Sequence, residues 1–171
     1  MPFACIHIKT IQGAFSLLVY ESFKPLDDQG LVPTWCSNHF DIDPTIFDGY
    51  TFWRRQSGKG VWITAPGFEE VRHESIAALG MLVMRQLPPK GKPTSVFLQR
   101  FGQSASRNVY QIDEVDVISF LERKPLEIAP IDDRRGYALV RTRDRIIGCA
   151  RVKDGRLVSE IPKHWLAELG G

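Results

Sequence analysis

Sulfur is scarce in this chain and poorly placed for chemistry. The three cysteines, Cys5, Cys36 and Cys149, are odd in number and include no CxxC pair. That argues against a disulfide framework and a structural zinc site, and it points to a reducing, intracellular compartment. Long hydrophobic runs are missing too. Ala14 to Tyr20 is apolar but is bracketed by Lys9, Gln12 and Glu21, far short of the ~20 residues of a bilayer span. It reads as a buried strand. The basic start, longer apolar run and small-residue cleavage site of a signal peptide are also lacking. We therefore expect a cytoplasmic protein without membrane attachment.

Catalytic and metal-binding signatures are equally thin. His7, His39, His73 and His164 are widely spaced and form no HxxxH or HExxH pattern. The carboxylate pairs Asp27-Asp28, Glu69-Glu70 and Asp132-Asp133 fall in loops or at a helix start, with no apolar pocket nearby to raise a pKa for acid–base work. Ser57-Gly58-Lys59-Gly60 lacks phosphate-loop spacing and leads into a strand, so it reads as a hairpin tip. No catalytic residue, metal ligand or cofactor is expected.

What is present is an ordinary globular composition: 171 residues, 43% apolar and 25% charged. A chain of this length buries roughly 70% of its unfolded surface and needs no cross-links. One domain or two small ones would fit. The charge is nearly balanced overall, 22 Lys plus Arg against 20 Asp plus Glu, but residues 134 to 163 hold 9 basic groups and only 3 acidic ones. Such a stripe is the footprint of a polyanion partner, or else a solvated sheet face.

Residues 3 to 20 predict one or two strands broken at Gly13. Leu31 to Phe40 predicts a helix with Pro33 in its first turn, and Asp43-Pro44 a cap and first helical residue. Tyr50 to Arg54 and Gly60 to Thr64 predict a hairpin. From Pro66 to Leu87 the spacing of Phe68, Val71, Ile76, Leu79, Leu82 and Val83 predicts a helix, stopped by Pro88 and Pro89. The stiff, polar stretch Leu87 to Pro93 is the best candidate boundary, dividing the chain into 1–92 and 93–171. Beyond it, Ser95 to Gln99 reads as a strand, and Asp113 caps a helix through Leu121. Leu126 to Ile128, Tyr137 to Arg141, Ile146 to Val152 and Arg156 to Val158 read as strands, the last two joined by the hairpin pair Asp154-Gly155.

Several motifs in the second half, Thr94 to Gly102, Arg107-Asn108-Val109, Gly136 to Val140, Ile147-Gly148, Asp154 to Leu157 and Ile161-Pro162-Lys163, together resemble a PUA-type RNA-binding domain. This region is similar to the carboxy-terminal region of the Sun/nucleolar family of rRNA cytosine methyltransferases and to stand-alone archaeal proteins that carry it. The whole chain is similar to two-domain ribosome-biogenesis proteins with a pre-PUA domain before the barrel. The resemblance implies an α+β fold: a small mixed amino-terminal domain, then a PUA-like β-barrel with one helix. The methyltransferases also need a Gly-rich loop for S-adenosylmethionine and a Pro-Cys nucleophile. Here Cys5 follows Ala4, Cys36 follows Trp35 and Cys149 follows Gly148, and the chain is short for an added Rossmann-type domain. The expectation is a non-enzymatic RNA-binding factor acting on structured rRNA or its precursor, in ribosome biogenesis, rRNA processing or RNA modification. The alternative is an adaptor that docks a separately encoded methyltransferase or assembly factor through the amino-terminal domain.

The candidate RNA contacts follow from residue type and position. Lys90 and Lys92 flank the boundary. Arg100 and Arg107 bracket a loop in which Gly102 would let a ribose-phosphate backbone approach, with Ser104, Ser106 and Asn108 as neutral donors. Arg141, Arg143 and Arg145 alternate and could follow a phosphate track. Alternatively, Arg141 and Arg143 form surface pairs with Asp132, Asp133 or Asp144, worth only ~0 to 1 kcal/mol each. Lys163 completes the set. Phe101, Tyr110 and Tyr137 would stack on bases if exposed; if they are core, recognition falls to RNA shape and phosphates. An exposed Trp53 and Trp62 pair would mark a protein-docking face.

Overall fold

The computed structural model describes residues 23–55, 58–67, 78–128, 136–162 and 165. The strands expected within 3 to 20, the middle of the helix expected from Pro66, and Lys163 lie outside these residues.

The first half is built on an antiparallel sheet in the order β1 (Phe23–Pro25), β2 (Thr51–Arg55), β3 (Val61–Thr64), β4 (Met81–Met84). Between β1 and β2 runs α1 (Leu31–Phe40), with Pro33 in its first turn and Val32, Cys36 and Phe40 buried at a spacing of four. Asp43 then opens a 3-10 turn, Pro44–Phe47, by accepting a bond from the Thr45 amide at 2.9 Å. The expected hairpin forms, and its two tryptophans lie opposite each other in register. Trp53 is buried and donates to the Thr64 hydroxyl at 2.9 Å. Trp62 is half-buried, edge-on to Phe23 and under the Arg55 guanidinium.

Two sequence expectations fail here for one physical reason. The helix expected to reach Leu87 gives way to β4, which pairs with β3. The strand expected at Ser95 to Gln99 is instead α2 (Ser95–Phe101), capped by Thr94, whose hydroxyl accepts from the Phe97 amide at 3.2 Å. Both are short apolar runs, and periodicity alone cannot assign runs of that length; pairing and capping decide.

The second half is a curled half-barrel sheet in the order β5 (Val109–Gln111), β7 (Gly136–Arg141), β8 (Ile146–Lys153), β9 (Arg156–Ser159), β6 (Leu126–Glu127). Only β5 and β7 run parallel. Between β5 and β6 lie a 3-10 turn, Glu114–Asp116, and α3 (Val117–Leu121). Asp113 occupies the cap position, although its side chain makes no capping bond. The β8–β9 turn is the expected one, with Asp154 at φ 50° and Gly155 at φ 72°.

The sheet of the second half works on both faces. One face, with Ala138, Val140, Ala150 and Leu157, closes on Val117 and Phe120 of α3. The other, with Leu139 and Cys149, joins Phe97, Leu98 and Phe101 of α2 to Phe47, Phe52 and Val83 of the first half. That cluster runs without a break across residue 93. Phe47 packs 6.0 Å from Phe97 and 5.2 Å from Phe101. The Leu87 to Pro93 stretch is a return loop closed by bonds from the Arg85 amide to the Lys92 carbonyl and from the Thr94 amide to the Val83 carbonyl, both 2.9 Å. Gly91 and Pro93 within it are buried.

Candidate nucleic-acid interface

The last turn of α1 leaves backbone carbonyls that the helix itself cannot satisfy. The loop after α2 supplies the missing donors. The Ser106 and Arg107 amides both donate to the Phe40 carbonyl at 3.1 Å. The Arg107 guanidinium donates to the Asn38 carbonyl at 2.8 Å, and the Asn108 amide group to the His39 carbonyl at 2.7 Å. Ser106 donates to the Asp41 carboxylate. Asn108 sits at φ 52°, a left-handed conformation that asparagine adopts more readily than most residues. Two proposed RNA ligands, Arg107 and Asn108, thus cap a helix of the first half.

Gly102 also differs from its sequence reading. It is buried, and a Cβ there would stand 2.4 Å from a Leu139 methyl carbon and 2.5 Å from the Leu98 carbonyl oxygen. The glycine permits α2 to lie against the sheet; it does not open a path for a ribose-phosphate chain.

Beside this joint, His39 stacks on Trp35 at 4.7 Å and 11°, and its Nε2 lies 2.7 Å from the Tyr137 carbonyl. Burial pushes the imidazole pKa below its usual value; the Tyr137 carbonyl opposes the shift and Arg107 adds to it. Further along, the nearly buried Glu160 carboxylate accepts from Lys92 at 2.5 Å and from Arg151 at 3.3 Å. Arg151 also donates to the Tyr137 hydroxyl at 2.9 Å, with its guanidinium 5.2 Å from the ring centre. Lys92 is therefore held in a partly buried ion pair, while Lys90 is exposed.

The remaining candidates gather at the end of the half-barrel made by the β7–β8 hairpin. Its turn is closed by the Thr142 amide on the Arg145 carbonyl at 2.9 Å. Gln99 of α2 donates to the Ile147 carbonyl at 2.9 Å, which brings the carboxy end of the helix, with exposed Arg100, alongside this hairpin. Arg143 is exposed and Arg141 half-buried, and neither has an ion-pair partner among the described residues, Asp144 included; the other expected partners, Asp132 and Asp133, lie outside those residues. Arg145 pairs with Glu114 at 3.2 Å.

Phe101 is 9% exposed, while Tyr110 and Tyr137 are half-buried and pack against the two core clusters. Sequence reasoning missed Glu160, Arg151 and the His39–Trp35 stack. The one available signal was alternation along β8, which puts Arg151 opposite Tyr137 in register. Burial pushes the Cys36 and Cys149 thiols up to about 12, so neither is a thiolate at neutral pH. Among the described residues, no three His, Cys, Asp or Glu side chains converge on a metal position, and no helix is long and apolar enough to cross a membrane.

The architecture is thus α+β, with a second half built as a half-barrel that carries a basic end. Residues 107–167 match the family described as the Methyltransferase RsmF PUA domain. Over that region the chain is similar to the PUA domain of the Sun-family methyltransferases. A PUA domain is a non-catalytic, generally RNA-binding module. No curated protein matches the chain.

Proposed function

We propose that the chain is a non-enzymatic RNA-binding factor that grips structured rRNA or its precursor, in ribosome biogenesis or RNA modification, through the β7–β8 end of residues 93–171. The observation that carries this reading is the PUA match over 107–167, together with arginines at the hairpin that have no ion-pair partner among the described residues. Arg141, Arg143 and Arg100 are the phosphate ligands in this account, with Lys90 and Lys163 as outlying contacts. Lys92, Gly102, Arg107 and Asn108 serve by holding the grip in shape. The described part of residues 1–92, a mixed unit, braces the barrel. With Phe101 buried and Tyr110 and Tyr137 half-buried, a folded RNA read by shape and phosphate spacing is favoured over a single strand held by stacking.

The adaptor reading called for an exposed apolar patch on the first half. Among the described residues the large exposed apolar side chains are Val96, Val115 and Ile118, all in the second half. Fluorescence anisotropy of the protein against an rRNA hairpin and a duplex DNA of equal length, across a salt series, tests the RNA reading. Preference for RNA is expected, with log affinity falling by about 0.7 to 0.9 per bound phosphate for each unit of log salt. No affinity at low salt would overturn it.

A further inference from the structure

Among the described residues the half-barrel is not closed, and its two edge strands face a common cleft. β5 and β6 stand at opposite ends of the strand order. Residues Val109 to Asp113 and Leu126 to Ile128, with Asp116 and Leu157, line one cleft of about 430 Å³. In β5 the parallel ladder uses the Asn108 carbonyl, bound by the Leu139 amide at 3.0 Å, and the Ile112 amide, bound to the Arg141 carbonyl at 2.9 Å. By alternation, Val109 and Gln111 point their N–H and C=O groups away from β7. In β6 the Ile128 amide bonds the Gly155 carbonyl at 3.0 Å, so the backbone of Glu127 points outward. Each edge therefore presents backbone groups without a strand partner among the described residues.

The lining of these edges is both apolar and acidic. Leu126, Ile128, Ile112 and Leu157 supply its apolar part. Asp113 and Asp116 line the cleft with no ion-pair partner among the described residues, and Glu127 shares its charge with Arg156 at 2.7 Å. None of the hairpin arginines lines it. Beside Asp116, Val115 and Ile118 stand 84% and 60% exposed at a spacing of three, so they share a helical face. Carboxylates repel a phosphate backbone and attract ammonium and guanidinium groups, so the charge of the described lining separates this cleft from the RNA grip.

We infer that the cleft docks a partner protein by strand addition: an extended segment alternating apolar and basic residues pairs with the edge of β5. Its apolar side chains enter the cleft and its lysines or arginines meet Asp113 and Asp116. The site is independent of the RNA reading.

The test uses the full chain and a short synthetic peptide of alternating lysine and valine, with binding followed by amide NMR shifts and by titration calorimetry. Binding in the micromolar range is expected, with the largest shifts at Val109, Gln111 and Glu127. The same peptide with glutamate for lysine, or with the ladder-facing amides N-methylated, should not bind. Asp113→Lys with Asp116→Lys should weaken the peptide at least about tenfold while RNA affinity stays the same or rises. Undiminished binding of the N-methylated peptide would overturn the proposal. So would shifts elsewhere, indifference to the charge reversal, a wild-type cleft that takes no peptide, or an rRNA hairpin shifting the same three amides.

Discussion

Arg107 and Arg143 carry the same guanidinium, and from sequence either could bind phosphate, yet the fold uses them differently. Arg107 is bonded to the last turn of α1, where it joins Asn108, His39 and Tyr137 in a seam between the two halves. Arg143 stands at a hairpin tip with no ion-pair partner among the described residues. Cationic residues placed where chain segments meet are drawn to unsatisfied carbonyls and carboxylates. Those at a hairpin turn, in the proposed reading, are the ones left to meet a ligand. Lys92 belongs with the first group, through Glu160, while Arg141, half-buried at the end of β7, borders the second.

The largest effect that would break this contrast concerns the seam as core. Phe97→Ala removes a fully buried ring that packs on Phe47 and Phe101. It should cost about 3 to 5 kcal/mol, and fluorescence and circular dichroism should report one coincident unfolding transition. Two separated transitions would show that the halves do not share the core described. Gly102→Ala comes next. Its Cβ would meet backbone as well as a methyl group, so a loss of about 1 to 3 kcal/mol is expected in denaturant titration. An unchanged midpoint with weakened RNA affinity would return Gly102 to the ligand surface.

The smallest effect is a pH slope. The His39 pKa is held down in the folded state by burial, so below the unfolded value of about 6.5 the unfolded chain binds a proton that the folded chain resists. Stability from this group is complete above about pH 6.5 and declines as the pH falls through that value toward the folded pKa. His39→Gln should flatten that part of the stability profile, and Arg107→Ala should reduce it. Identical slopes in all three proteins would remove His39 from the seam.

Much of the fold was legible because strong local signals happened to agree with long-range packing. Pro33, Asp43-Pro44 and Asp154-Gly155 each restrict the backbone in one direction, and α1, the 3-10 turn and the β8–β9 hairpin appear where those residues put them. Met81 to Met84 and Ser95 to Phe101 were not legible. Their short apolar runs suit either element, and the decision rests on pairing with β3 in one case and on the Thr94 hydroxyl in the other. The candidate site was legible in composition and not in role. Arg107 meets a carbonyl 69 positions away, and Lys92 a carboxylate 68 positions away; residue type alone carries no trace of either.

The most direct test of the account compares two double variants against one rRNA hairpin across a salt series: Arg141→Ala with Arg143→Ala, and Arg107→Ala with Asn108→Ala. The hairpin pair should keep its stability within about 0.5 kcal/mol while affinity falls and the salt slope drops by roughly 0.7 to 0.9 for each phosphate no longer bound. The seam pair should lose stability, by about 1 kcal/mol for each helix-end bond removed, and retain the wild-type salt slope where it is folded. A salt slope that drops in the seam pair and not in the hairpin pair would contradict the account.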